Sequence, residues 1–494
     1  MKNLLKNHQK NVRQQFKEQP GVIVFHSLGS GKTMTAIGCG EAYPERKKMV
    51  VVPASLVNNF KKELDKTKTN SSRYTVYSYE MFAKTPIHKS INAIIIVDEA
   101  HRLRNASSIS ASATIDRINV AFKVLFLTGT PIINHPADIS PLVNIINIKR
   151  NSPTRSSIPV PITNNNNNIN NLNLNFPMLP KNREKFEDVF FNVETKTNKI
   201  NRKIFGITYS SHRGEPYKII SPKNTELFKK AVDGIVSFYE NFNETNFPRK
   251  EERVLRITMS KLQQDMHIKA AKSSLTKQDL EIIKGKMNVN LNQNNGKAKR
   301  LNSFLAKTRQ ITNYVAKEKT SPKLEKVMEL IEKGNGPVLV YSNYINSGVK
   351  QIDKMIKEKT NKSSFIFSGS ITKKEKAKAV EKYNTGKLDV LLITASGSEG
   401  IDLKRTRQVI ILEPHWNYSR IAQAIGRAVR YHSHINLNEN KRHVDIYHLI
   451  SIFSKNSWFN SEEKKLYKVS ADTYLWDITQ QKRKINEQFN ELLK

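Results

Sequence analysis

Two short strings in this chain combine residue types that could do chemistry. The first is His26-Ser27-Leu28-Gly29-Ser30-Gly31-Lys32-Thr33, which follows an apolar run and opens a helical pattern. Glycines at Gly29 and Gly31, with Ser30 between them, let backbone amides turn inward around phosphate oxygens, and the helix N-terminus adds positive potential. Lys32 would reach the β- and γ-phosphates of a nucleotide, and Thr33 would hold Mg²⁺. The full phosphate-loop pattern has glycine where His26 stands, so the reading rests on the Gly-x-Gly-Lys-Thr core and its strand-to-helix setting. The second string is Asp98-Glu99-Ala100-His101, placed where another apolar run ends. An acid pair at the carboxyl end of a buried parallel strand is where such a sheet places ligand chemistry. Asp98 would bind Mg²⁺, directly or through water, and Glu99 would orient and deprotonate an attacking water.

These residues need a scaffold, and the chain supplies it twice. Val22–Phe25, Met49–Val52, Ile94–Val97 and Val124–Leu127 are short continuous apolar runs, the pattern of strands buried on both faces of a parallel sheet. A second set follows at Val338–Tyr341, Phe365–Phe367, Val390–Ile393, Val409–Leu412 and Val444–Leu449. Helical patterns separate many of them. One runs from Pro322 to Lys333, with Ser321 as N-cap and Gly334 as stop. The expected fold class is α/β, with two parallel-sheet domains. The expected boundaries are residues 1–150 for the first, 151–180 for an Asn/Pro-rich flexible loop containing the run Asn164–Asn168, and 181–310 for a mainly helical insertion with a polar patch at Asn288–Lys299. Residues 311–470 form the second domain and 471–494 a C-terminal helix, whose stripe of Leu475, Ile478, Ile485, Phe489 and Leu492 would dock on that domain.

Composition sets outer limits. A chain of 494 residues exceeds one ordinary core, and 38% hydrophobic residues rule out wholesale disorder. No apolar stretch is long enough for a spanning helix, and the polar, basic start from Met1 to Lys10 lacks the apolar core of a secretory signal. The single cysteine, Cys39, excludes a disulfide framework or a multi-cysteine zinc module and fits a reducing, intracellular setting. The net charge of +38 suits a polyanionic partner such as nucleic acid. The surplus is mainly lysine, beside abundant Asn and Ile, so AT-rich coding is a second source of the charge, which does not establish the partner.

Longer strings make a family recognisable. Asp98-Glu99-Ala100-His101-Arg102-Leu103-Arg104-Asn105 and Leu127-Thr128-Gly129-Thr130-Pro131-Ile132-Ile133-Asn134 resemble motifs II and III of superfamily 2 helicases, most closely the Swi/Snf branch. Leu5-Lys6-Asn7-His8-Gln9 resembles that branch's opening motif, Val52-Pro53-Ala54-Ser55 motif Ia, and Tyr77-Ser78-Tyr79-Glu80 motif Ib. Ile393 to Leu403 resembles motif V, and Gln423-Ala424-Ile425-Gly426-Arg427-Ala428-Val429-Arg430 motif VI. Within the branch the chain is similar to the poxvirus-type group of nucleoside triphosphatase I and the early transcription factor small subunit. The supporting strings include Val340-Tyr341-Ser342-Asn343-Tyr344 and Arg430-Tyr431-His432-Ser433-His434. The resemblance covers roughly residues 1–145 and 305–480. Asp98–His101 alone would suggest a DEAH-box RNA helicase, but Ala424 follows Gln423 where those proteins have Arg, and Val429 precedes Arg430 where they have Gly.

The resemblance implies two RecA-like lobes with ATP and Mg²⁺ in the cleft between them. Gln9 would read adenine, and Thr128, Thr130 and His101 would couple the γ-phosphate to lobe closure. Arg427 and Arg430, with Gln423 in the same motif, would come from the second lobe to the γ-phosphate, where guanidinium groups stabilise transition-state charge. Ser55, Thr394 and Gly400 are candidate nucleic-acid contacts, since hydroxyls and backbone amides suit phosphate oxygens. The leading expectation is a nucleic-acid-stimulated ATPase that translocates on DNA, with DNA preferred over RNA. It would serve viral-type transcription beside an RNA polymerase or transcription complex, in the cytoplasm of an infected host cell or in the virion, without a membrane or disulfide partner. The alternatives are an ATP-dependent RNA helicase and a non-hydrolysing transcription subunit, although intact Lys32, Asp98, Glu99 and Arg427 argue against the latter. Trp416 is expected as a packed anchor, and His432 and His434 as polar contacts. The Lys-rich stretch Lys373–Lys382 is expected as a solvated helix face.

Overall fold

The computed structural model describes residues 5–27, 30–67, 69–106, 108–151, 175–196, 199–204, 207–212, 217–239, 247–283, 296–369, 371–394, 401–454 and 469–494. Gly29, Gly400 and the Asn164–Asn168 run lie outside the described residues, as does motif V from 395 to 400. The chain forms two units, residues 1–242 with 482–494, and residues 243–481.

The first unit begins with α1 (Asn7–Glu18), β1 (Gly21–His26), α2 (Lys32–Gly40), β2 (Lys48–Val52), α3 (Val57–Lys66), β3 (Tyr74–Ser78) and α4 (Tyr79–Ala83). It continues through β4 (Ile94–Asp98), α5 (Ile109–Asn119), β5 (Lys123–Thr128), α6 (Ser140–Asn151), α7 (Arg183–Phe190), β6 (Phe191–Lys196), β7 (Lys199–Ile204), β8 (Ile207–His212), β9 (Tyr217–Pro222), α8 (Thr225–Val232) and β10 (Val236–Tyr239). Its main sheet is parallel, in the order β10-β1-β5-β4-β2-β3. Alternate residues of the inner strands enter different cores. Ile23, Val51, Ile95 and Phe126 pack in one; Val24, Val50, Ile96 and Leu127 pack in the other. Burial on both faces is the reason these strands read as continuous apolar runs.

The second unit contains β11 (Arg249–Thr258), α9 (Lys261–Ser274), α10 (Lys277–Ile283), α11 (Gly296–Asn313), α12 (Pro322–Lys333), β12 (Val338–Tyr341), α13 (Lys350–Lys359), β13 (Ser364–Phe367) and α14 (Lys373–Asn384). Then come β14 (Val390–Ile393), β15 (Gln408–Ile411), α15 (Tyr418–Ala428), β16 (His443–Ile452) and the start of α16 (Ala471–Glu491). Its sheet is also parallel, in the order β11-β16-β15-β12-β14-β13. Ser321 caps α12 as its sequence implies, its hydroxyl accepting from the Leu324 amide at 3.2 Å. The expected α/β architecture with two parallel sheets is what the chain adopts.

Two expectations about organisation differ from the structure. The segment 181–310, expected to be mainly helical, also supplies edge strands to both sheets, β10 and β11, besides the antiparallel pairs β6–β9 and β7–β8. Edge strands need no continuous apolar run, and the exposed Arg-Lys-Glu-Glu-Arg start of β11 carries the charges that discourage edge-to-edge pairing. The C-terminal helix does not belong to the second unit alone. Ala471, Tyr474 and Leu475 fill a core of the second unit, whereas Ile485, Phe489 and Leu493 fill a core of the first. Phe489 lies 5.2 Å from Phe228 and 5.7 Å from Phe186 between ring centroids. Phe489→Ala is expected to cost the first unit about 3–5 kcal/mol, read from chemical unfolding, by removing a fully buried ring.

Candidate nucleotide site

The site is assembled at the carboxyl ends of β1, β5 and β4, three neighbours in the first sheet. Their register sets Phe25 beside Thr128 and Leu127 beside Asp98. The chain leaving β1 runs into α2 through Gly31, whose φ of 81° lies in the left-handed region. A β-carbon there would also come within 2.8 Å of Gln9 Nε2, so both conformation and space call for glycine.

Lys32 Nζ donates to the His26 carbonyl at 2.9 Å and the Ser27 carbonyl at 3.1 Å, which folds the ammonium over the loop. Thr33 sits half-buried in the first turn of α2. Among the described residues the buried hydroxyls of Ser27 and Ser30 have no hydrogen-bond partner, as suits groups that face a ligand's oxygens.

His26, the departure from the usual loop pattern, is wholly buried. Its Nε2 lies 3.1 Å from Ser237 Oγ, and the Ser27 amide donates to the Tyr239 carbonyl at 3.0 Å. Burial, then the charges of His8 and Lys32, lower its pKa to about 3, so the ring is neutral. The loop is thus moored to β10. His8 stacks on Tyr239 at 3.8 Å between centroids. Sequence reasoning missed Ser237 and Tyr239, because β10 lies far along the chain and its short half-buried run gives no strong strand signal.

Gln9 is also committed to the loop. Its Nε2 donates to the Gly31 carbonyl at 3.2 Å, and its Oε1 accepts from the Lys6 amide at 2.9 Å. The helix carrying it is held at its other end by Lys123, the first residue of β5. The Lys123 ammonium donates to the carbonyls of Phe16, Lys17 and Gln19 at 2.9, 3.0 and 2.6 Å. A cation there satisfies the last carbonyls of α1 and complements its dipole.

On the acidic side, burial and then the Glu99 charge raise the pKa of Asp98 to about 6, while Lys32 opposes the shift. A buried carboxylate that resists ionisation suits a cation partner, and a carboxylate with a threonine hydroxyl is a hard-oxygen donor set that fits Mg²⁺. Glu99 adopts a left-handed backbone, φ 51° and ψ 45°, a conformation that costs a non-glycine residue about 1–3 kcal/mol. His101 Nδ1 lies 3.3 Å from Glu99 Oε2 and 3.2 Å from Thr128 Oγ1. Thr128 Oγ1 in turn accepts from the Thr130 amide at 3.1 Å. Burial lowers the His101 pKa against the opposing Glu99 charge, which favours a neutral ring in this chain. The structure therefore brings Glu99, His101, Thr128 and Thr130 together.

Ser55 lies exposed in a single turn after β2, and Thr394 lies buried after β14. In the second unit, Gln423 and Arg427 lie on α15, both half-buried, and Arg430 follows the helix. Arg430 Nε donates to the Gly426 carbonyl at 2.7 Å, and its Nη1 lies 3.4 Å from Asp402 Oδ1. The loop entering α15 is fixed by Glu413. This wholly buried carboxylate accepts from Ser342 Oγ at 3.1 Å and from Asn313 Nδ2 at 2.8 Å. Trp416 packs against a hydrophobic core with the Arg309 guanidinium 5.6 Å from its ring. His434 is buried between Ser433 Oγ at 2.8 Å and the Thr406 carbonyl at 2.7 Å. Among the described residues no cluster of three or more His, Cys, Asp or Glu could hold a metal ion.

Both halves match family models. An SNF2-related domain matches residues 73–317, and a helicase conserved C-terminal domain matches residues 322–432. A protein of Acanthamoeba polyphaga mimivirus, provisionally named an ATP-dependent RNA helicase, is 33% identical over 494 residues, covering 99% of this chain and 96% of that protein. The chain belongs to the Swi/Snf-like branch of the superfamily 2 helicases. It is an ATP-dependent nucleic-acid motor of the viral type, and it hydrolyses ATP. An African swine fever virus termination factor NPH-I homolog is 22% identical, covering 96% of this chain and 75% of the relative. The SWI2/SNF2 ATPase core of Sulfolobus solfataricus in complex with dsDNA aligns over 97% of this chain and 95% of that one, at 17% identity and a TM-score of 0.34.

Gln9 ties the loop to the start of α1, its Nε2 on the Gly31 carbonyl and its Oε1 on the Lys6 amide, so its loss should act on nucleotide binding. Gln9→Ala in this Swi/Snf-like helicase is expected to raise the KM for ATP about tenfold and to change kcat less than about threefold. Steady-state ATPase kinetics with ATP and GTP would check this, and the preference between the two should narrow.

Proposed function

We propose that this motor translocates on DNA during viral-type transcription, holding phosphates rather than reading bases. The observation that carries the reading is the likeness, over 96% of this chain, to a protein named as a termination factor. Ala424 and Val429, at the positions where motif VI departs from the DEAH-box pattern, support a Swi/Snf-like motor over an RNA helicase. The role extends to engagement with an RNA polymerase or transcription complex, in the cytoplasm of an infected cell or in the virion. Among the described residues no helix is long and apolar enough to cross a membrane.

In this reading Lys32 binds the β- and γ-phosphates, and the amides of the Gly29–Gly31 loop surround them. Thr33 and Asp98 hold Mg²⁺, which when bound neutralises charge on the phosphates. Glu99 orients and deprotonates the attacking water. Arg427 and Arg430 of the second unit supply positive charge to the transition state. His101, Thr128 and Thr130 relay the state of the γ-phosphate, and Ser55, Thr394 and Gly400 contact nucleic-acid phosphates.

The name of the 33%-identical relative favours a second reading, action on RNA. ATP hydrolysis measured with single-stranded DNA, duplex DNA and RNA separates the two. The proposal expects the largest stimulation by DNA, fading steeply as salt rises because phosphate contacts release counterions. Equal or greater stimulation by RNA would overturn the DNA preference.

A further inference from the structure

We propose that Tyr79 is a positioning residue for hydrolysis, its phenol holding the peptide of the Asp98–Glu99 pair so that Glu99 keeps its left-handed turn. The hydroxyl lies 2.7 Å from the Asp98 carbonyl and 3.1 Å from the Glu99 carbonyl. One phenolic hydrogen is therefore shared between the two acceptors that bracket the turn.

The placement follows from the topology. Tyr79 is the first residue of α4, at the carboxyl end of edge strand β3. The Ser78 hydroxyl caps this helix, accepting from the Met81 amide at 3.2 Å. Strand β2 separates β3 from β4, so only a long side chain can cross to the acid pair, and the Tyr79 ring does so inside the core at 5% exposure. The Arg102 guanidinium lies 5.7 Å from the ring. Burial, then the charge of Asp98, keeps the phenol protonated, so it remains a donor.

The constraint matters because Glu99 has a conformation that a side chain rarely adopts. A strained backbone persists only where its surroundings over-determine it. Glu99 is also fixed by its own amide, which donates to Asp98 Oδ1 at 3.0 Å, and by its carboxylate's contact with His101 at 3.3 Å. Its carbonyl accepts from the Arg102 amide at 3.0 Å within the acid-pair loop, and the Tyr79 hydroxyl is the tie that reaches it from outside that loop. Removing it lets the carboxylate leave the position from which it activates water, while the phosphate loop after β1 is untouched.

This inference rests on Glu99 being the general base, and the test separates the two. Steady-state ATPase kinetics with saturating nucleic acid are measured for wild type, Tyr79→Phe and Glu99→Gln, with thermal melts of each. Tyr79→Phe keeps the ring and loses only the hydroxyl. The expected result is a kcat lower by about tenfold to a hundredfold, with the KM for ATP changed less than about twofold and the melting temperature preserved. A kcat within about twofold of wild type, while Glu99→Gln is inactive, would overturn the role of Tyr79 and leave that of Glu99 intact. A parallel loss of kcat, ATP affinity and melting temperature would make Tyr79 an ordinary core residue and equally overturn it. If Glu99→Gln hydrolyses ATP like wild type, the assignment of the base fails and the inference falls with it.

Discussion

Every contact at the nucleotide site depends on the register of three parallel strands. Because Phe25 lies beside Thr128 and Leu127 beside Asp98, the glycine-containing loop after β1, the acid pair and the Thr128–Thr130 turn leave the sheet side by side. A parallel sheet with long crossovers permits this, since all its strands end on one edge and each connection begins there. Neighbouring elements then refine the placement. Strand β10 moors the loop through Ser237 and Tyr239, α1 reaches Gly31 through Gln9, and α4 reaches the acid pair through Tyr79. A slip of one residue in β5 would turn its side chains to opposite faces and take Thr128 away from His101.

The basic composition has a more divided role than a surplus of +38 suggests. Some lysines are structural and buried. Lys123 closes the end of α1, and Lys323 lies 2.6 Å from Asp472 at 1% and 0% side-chain exposure. A buried pair of this kind is tolerated because its remaining groups are hydrogen-bonded; Lys323 also reaches Asn313 Oδ1 at 3.1 Å, and Asp472 accepts from the Ser451 amide at 3.0 Å. Other lysines, such as Lys374, Lys378 and Lys382 on α14, face solvent and can meet phosphates. Net charge alone could not separate these uses.

The inner strands were legible because burial on both faces demands uninterrupted Val, Ile and Leu, and the runs at Met49–Val52 and Ile94–Val97 lie within β2 and β4. Of the outer strands, β13 showed as Phe365–Phe367, but β3, β10 and β11 did not, since β3 and β10 are half-buried along most of their length, β11 is largely exposed, and the three carry Tyr, Ser, Arg or Glu. In the site, Lys32, Asp98 and Glu99 could be read from type and spacing. The partnership of His101 with Thr128 needed the fold, because the two are 27 positions apart in sequence and meet only through strand pairing. Tyr79 was visible as part of a motif, but its hydrogen bonds to the acid pair could not be seen without the sheet order. His26 looked like a defect in the loop pattern until Ser237 supplied its partner.

The central claim is that the first unit separates nucleotide binding, through Lys32, from water activation, through Glu99. The most direct measurement is ATP binding and single-turnover hydrolysis, determined side by side for Lys32→Ala and Glu99→Gln. The account predicts that Glu99→Gln binds ATP about as tightly as wild type yet does not hydrolyse it, whereas Lys32→Ala loses both. Hydrolysis at the wild-type rate by either variant would contradict it.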